Sequence, residues 1–118
     1  MRNIHVNLDM ENFPDFIAEL KYLSAENGGR KTAAKTGYRP QIKFGFTEKQ
    51  TSGIQNFIGK DSVLPGEIVR AEIKVLSPHF FQNQLEIGME FNFNEGAKII
   101  GTGRVLEVVN QMLKRASL

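Results

Sequence analysis

Cysteine is missing from the 118-residue chain altogether. Its absence removes disulfides and thiolate chemistry, excludes cysteine-ligated zinc and iron–sulfur sites, and is compatible with a reducing compartment. Long apolar runs are missing too. The opening MRNIHVNLDMENF is broken by Asn7, Asp9 and Glu11, so it has no signal-peptide core, and no stretch approaches the ~18 apolar residues of a membrane helix. These absences lead us to expect a soluble, cytoplasmic protein without membrane partners. Histidine is scarce: His5 and His79 stand far apart with no metal-ligand spacing around them, which argues against a catalytic base or a metal centre. Acid is absent from one window, between Glu26 and Glu48, where Arg30, Lys31, Lys35, Arg39 and Lys43 are all basic. The formal net charge of +2 does not by itself mark a nucleic-acid binder, and this window reads either as a solvated loop or as an interaction surface.

What is present is period-two alternation. Val69, Ala71, Ile73 and Val75 share one face, with Arg70, Glu72 and Lys74 on the other, as in a half-buried strand. Leu85, Ile87, Met89, Phe91 and Phe93 repeat the pattern and predict the clearest strand of the chain. Further strands are expected at Phe16–Tyr22, at Ile42–Phe46, and near the start at Ile4, Val6 and Leu8. Turn residues separate them at Asn27-Gly28-Gly29, Gly37, Pro65-Gly66, Ser77-Pro78 and Asn94-Glu95-Gly96. Many short strands with little helix predict an all-β fold, an antiparallel sandwich or a closed barrel. From Val105 to Leu118 a helix and a fraying strand are both compatible with the pattern. We expect one domain over 1–118, with a core at about 14–110, an extension at 1–13 and a tail at 111–118.

Chemistry is hard to find. Gly53 to Asp61 superficially resembles a phosphate-binding loop, but its glycines are one residue too far apart and Asp61 replaces the magnesium-binding hydroxyl. Ile54, Phe57 and Ile58 instead suggest a loop covering a core, so no nucleotide is expected. Glu11, Asp15 and Glu19 fall on one side of an extended segment and read as solvated. We therefore expect no enzyme, no cofactor and no metal.

The stretch TGYRPQ, Thr36 to Gln41, is informative. Gly37 supplies a turn, and Pro40, lacking an amide hydrogen, forces Arg39 to be extended and belongs at a strand's first position or at an edge. An aromatic beside a guanidinium in a basic window can also grip phosphate or stack on a base.

The run Ala18 to Phe46 closely resembles the start of the C-terminal barrel of bacterial elongation factor Tu, with its E-V-Y-x-L-x-x-x-E-G-G-R-H-T-P-F-F-x-G-Y-R-P-Q-F pattern. Leu64-Pro65-Gly66-Glu67 resembles the family's M-P-G-D turn, and Asn94 to Gly103 resembles R-E-G-G-R-T-V-G-A-G. The resemblance implies a closed six-stranded antiparallel β-barrel. In that family the barrel follows a GTPase domain and a second barrel, and the three together carry aminoacyl-tRNA. A chain of this length has room for neither neighbour, so we expect no GTPase activity.

Departures from the pattern matter. The H-T-P-F-F segment becomes Lys31-Thr32-Ala33-Ala34-Lys35, two arginines become Asn94 and Lys98, and a threonine becomes Ile99. Lysine lacks the bidentate fork of arginine, so a phosphate contact is weakened. The resemblance thus implies a non-enzymatic module that binds a protein of the translation machinery, such as an exchange factor, a modifying enzyme or a toxin. The alternative is a tRNA- or RNA-binding barrel acting through its basic 30–43 stretch. Either way the candidate binding residues are Arg30, Lys31, Thr32, Lys35, Tyr38, Arg39 and Lys98.

Overall fold

The computed structural model describes residues 13–116. The strand expected at Ile4, Val6 and Leu8, and the readings of His5 and Glu11, lie outside the described residues. Eight strands follow in chain order: β1 (Phe16–Tyr22), β2 (Ala34–Lys35), β3 (Gln41–Phe44), β4 (Thr51–Phe57), β5 (Ser62–Val63), β6 (Ile68–Val75), β7 (Glu90–Glu95) and β8 (Lys98–Val108). Six of them close into an antiparallel barrel in the order β1, β6, β4, β3, β7, β8, with β8 returning to β1, while β2 and β5 form a separate pair. The closed six-stranded barrel is therefore the architecture, and closure leaves none of its six strands as a free sheet edge.

Alternation explains the inside of the barrel. Phe16, Ala18, Leu20 and Tyr22 of β1, and Val69, Ala71, Ile73 and Val75 of β6, all point inward and are buried. Edge-on aromatic contacts fill the lumen: Phe16 and Phe91 have ring centroids 5.7 Å apart, Phe44 and Phe81 4.9 Å, Tyr22 and Phe93 5.0 Å. The Phe16 end is stoppered by Phe81, from the 3-10 turn Pro78–Phe81, together with Leu85 and with Leu113 from the turn Gln111–Leu113. The Tyr22 end is closed by polar groups and holds the site described below.

Three expectations are corrected. The alternation from Leu85 to Phe93 is not one strand: the chain turns over Glu86–Met89, where the Met89 amide donates to the Glu86 carbonyl at 3.2 Å, and β7 begins only at Glu90. Leu85 is buried by the terminal turn while Ile87 is 72% exposed, so the even spacing arises from two separate environments. Gly53 to Phe57 is no loop but part of β4, whose inward residues Thr51, Gly53 and Gln55 are polar or lack a side chain and so hide its alternation. Asp15 is not solvated: it is 3% exposed, its carboxylate accepts from the Val75 amide (2.8 Å) and Asn110 Nδ2 (2.9 Å), and its carbonyl accepts from the amides of Val109 and Asn110. It ties the mouth of β1 to β6 and to the end of β8. Of the two readings for Val105 to Leu118 the strand with a tail holds: β8 runs to Val108, and among the described residues only a single 3-10 turn, Gln111–Leu113, follows in place of a helix.

Candidate functional site

TGYRPQ extends β3 outward along β4. The Gly37 amide donates to the Gln55 carbonyl and the Gln55 amide to the Tyr38 carbonyl, each at 2.8 Å, and the Gly53 amide donates to the Pro40 carbonyl at 2.9 Å. Gly37 makes the entry turn at φ +93°, a conformation costly for a side-chain-bearing residue. Pro40 occupies a position where the ladder needs only its carbonyl. Because side chains alternate along an extended segment, Tyr38 turns to the barrel mouth and Arg39 to the outer wall.

Tyr38 meets Arg30 and Glu95 at the mouth. Its hydroxyl donates to Glu95 Oε2, the oxygen that also takes an ion pair from Arg30 Nη1. The Arg30 guanidinium carbon lies 4.6 Å from the Tyr38 ring centroid, a cation–π contact. Arg30 also donates from Nε to the Thr32 carbonyl (3.3 Å), and from Nη2 to Thr32 Oγ1 (3.3 Å) and to the Ala33 carbonyl (3.4 Å). This guanidinium is occupied on nearly every side. Its position is fixed by the preceding Gly29, where a β-carbon would sit 2.0 Å from the Leu23 carbonyl oxygen, so that only glycine fits.

Electrostatics follow from these contacts. The hydrogen bond from Tyr38 and the charge of Arg30 hold the Glu95 carboxyl below its ordinary range, with Lys98 adding a smaller pull in the same direction. Burial, and then the bond to Glu95, push the Tyr38 hydroxyl upward. Deeper in the barrel Tyr22 donates to Gln55 Oε1, and burial above all raises its hydroxyl as well.

Among the residues named from sequence, Arg30, Thr32, Tyr38 and Lys98 gather around Glu95, Lys98 being its partner across the β7–β8 hairpin. Lys31 is exposed, and Lys35 is exposed on β2 opposite Ser62. Arg39 does not join the cluster; it lines a groove on the outer wall with Ser52, Ile54, Lys74, Leu76 and Pro78. Glu95 itself was missed, read only as part of a turn. Its pairing with an arginine 65 residues away leaves no trace in local pattern.

The mouth offers charge and hydrogen bonding. Among the described residues no three His, Asp or Glu side chains lie close enough to hold a metal, and no helix is long and apolar enough to cross a membrane. Residues 9–109 match the family described as Elongation factor Tu C-terminal domain.

Proposed function

This chain belongs to the elongation factor Tu C-terminal domain family, and from that membership we propose that it is a non-enzymatic, cytoplasmic module presenting such a barrel to a protein of the translation machinery, without hydrolysing GTP. One observation carries the preference for protein over RNA. Arg30, the most constrained cation of the basic window, spends its donors on Glu95, Thr32 and Ala33 rather than offering a free fork to phosphate. The Glu95 carboxylate beside it repels a phosphate backbone.

A second reading keeps RNA as the partner. Lys31, Lys35 and Lys98 are exposed and make no ion pair among the described residues, and three point charges support weak backbone contact.

Competition separates the two. The chain, immobilised at roughly 150 mM salt, is offered lysate with and without excess intact elongation factor, and with and without ribonuclease. A protein displaced by the factor and indifferent to ribonuclease supports the first reading. A tRNA fraction lost when Lys31, Lys35 and Lys98 are reversed supports the second. Recovery of neither removes both.

A further inference from the structure

Arg39, Ile54 and Lys74 stand in one row on the outer wall. Ile54 of β4 pairs with Lys74 of β6, while the hydrogen bonds flanking Arg39, from Gln55 to Tyr38 and from Gly53 to Pro40, set Arg39 opposite Ile54 on the other side. The next row is Ser52 and Leu76, joined by the Leu76 amide donating to the Ser52 carbonyl at 2.9 Å. With Pro78 and Val75 these residues line a groove of about 370 Å³. Leu76 is 78% exposed, the most exposed large hydrophobic side chain described.

The groove thus has an aliphatic floor of Ile54, Leu76 and Pro78 between two cations, and no lining residue is acidic. Its walls are strands of a closed barrel, so the side chains are held on a rigid support. Lys74 is anchored by its Nζ donating to the Phe13 carbonyl at 3.2 Å, which fixes one cation at the edge of the floor.

We propose that this groove docks a protein segment that carries an aliphatic side chain flanked by carboxylates. Resting on the protein-binding reading above, this names the surface and the chemistry of the partner. Charge complementarity is the argument: two cations bracketing exposed aliphatic surface match carboxylates bracketing an aliphatic anchor, and rim charges of this kind set partner choice and encounter rate. RNA is the poorer match. Bases stack chiefly on aromatic rings, and no lining residue is aromatic, which leaves the Arg39 guanidinium as the one stacking plane beside an aliphatic floor.

The test uses the full chain, ¹⁵N-labelled, titrated with the blocked peptide Gly-Ser-Glu-Asp-Leu-Leu-Asp-Glu-Ser-Gly, its Gln/Asn counterpart and a uridine decamer. The expected result is saturable amide shifts confined to Arg39, Ile54, Lys74, Leu76 and their neighbours, with binding at least roughly tenfold weaker for the uncharged peptide. Leu76→Asp and the pair Arg39→Glu with Lys74→Glu each lose the shifts while keeping the native spectrum elsewhere. The proposal is overturned if the acidic peptide gives no saturable shift at millimolar concentration, if the uncharged peptide binds equally, or if the uridine decamer is the tighter ligand at these residues. Nuclear Overhauser contacts from residues 1–12 to the Leu76 methyls would also overturn it, because the groove would then be covered by its own chain. Peptide binding without competition by the elongation factor would leave the groove standing and remove the proposed function; the reverse pair of results would remove the groove alone.

Discussion

The ring of Phe93 lies against the backbone of Gly101, so closely that a β-carbon on the glycine would sit 2.1 Å from Phe93 Cζ. Phe93 and Gly101 are cross-strand partners in β7 and β8, and Phe91 and Gly103 repeat the arrangement with the same inward faces. Glycine at alternate positions of β8 makes room for two large rings inside a narrow barrel.

Gly101→Ala is therefore expected to cost about 1–3 kcal/mol through overpacking. A double-mutant cycle with Phe93→Leu, followed by urea denaturation, checks the cause: the cost of the added methyl should shrink sharply once the ring is gone. Additive costs would mean that the ring is not what excludes the methyl.

This pairing also shows what was legible in sequence. β1 and β6 were readable because every inward residue is apolar and the outward ones, Ile17 and Ile68 apart, are charged. β4 was not, since its inward positions Thr51, Gly53 and Gln55 are polar or lack a side chain, and meet Ser77 just after the neighbouring β6, Ile42 of the neighbouring β3, and Tyr22 of β1. The basic window of the site was visible as composition, but a linear sequence gives no account of which cation is consumed. Arg30 and Arg39 look alike nine residues apart, yet one faces Glu95 and the other an aliphatic groove.

Tyr22 and Gln55 predict an alkaline instability. The phenol is buried and its hydroxyl is raised above the ordinary 10.0, chiefly by burial. The fold therefore prefers the neutral form, and this contribution is complete below about pH 10 and is lost as pH rises beyond it. Tyr38, raised also, adds to the same slope. Urea midpoints measured from pH 8 to 11 should fall with pH in the parent protein and fall less steeply in Tyr22→Phe. At neutral pH that variant should be about 1–3 kcal/mol less stable, because Gln55 Oε1 is left buried without its donor. An unchanged alkaline slope in Tyr22→Phe would show that Tyr22 is not its source.

Asp15 predicts a large effect from a residue that looks like a surface acid. Its side chain accepts from Val75 and Asn110 while almost fully buried, so Asp15→Ala strands two donors. A loss of about 2–4 kcal/mol is expected from the two unmade bonds. Asp15→Asn should recover only part, since its amide nitrogen faces one donor with another. Equal stability of Asp15→Ala and the parent in thermal unfolding would refute the anchoring role.

Arg30 and Arg39 should separate stability from binding. Arg30 sits at 20% side-chain exposure with its ion pair to Glu95 and several further hydrogen bonds, so Arg30→Ala should lower stability by about 1–2 kcal/mol. Arg39→Ala, on the open wall, should leave the unfolding midpoint within about 0.5 kcal/mol of the parent. Acid titration supplies a second comparison. The Glu95 carboxyl is depressed from its ordinary 4.5, first by the bond from Tyr38 and then by the charge of Arg30. Its contribution is therefore complete above that value and is lost as pH falls through the lower, folded value. Removing Arg30 should weaken the acid-side loss of stability between pH 5 and 2, and Glu95→Gln should do the same, whereas removing Arg39 should leave it intact. For binding the order should reverse: Arg39→Ala should weaken binding of the acidic peptide, and Arg30→Ala should change it little. If instead Arg30→Ala abolished partner capture while the barrel stayed folded, the mouth around Glu95 would be the docking surface, and the constraint on Arg30 would be preorganisation for a partner rather than architecture.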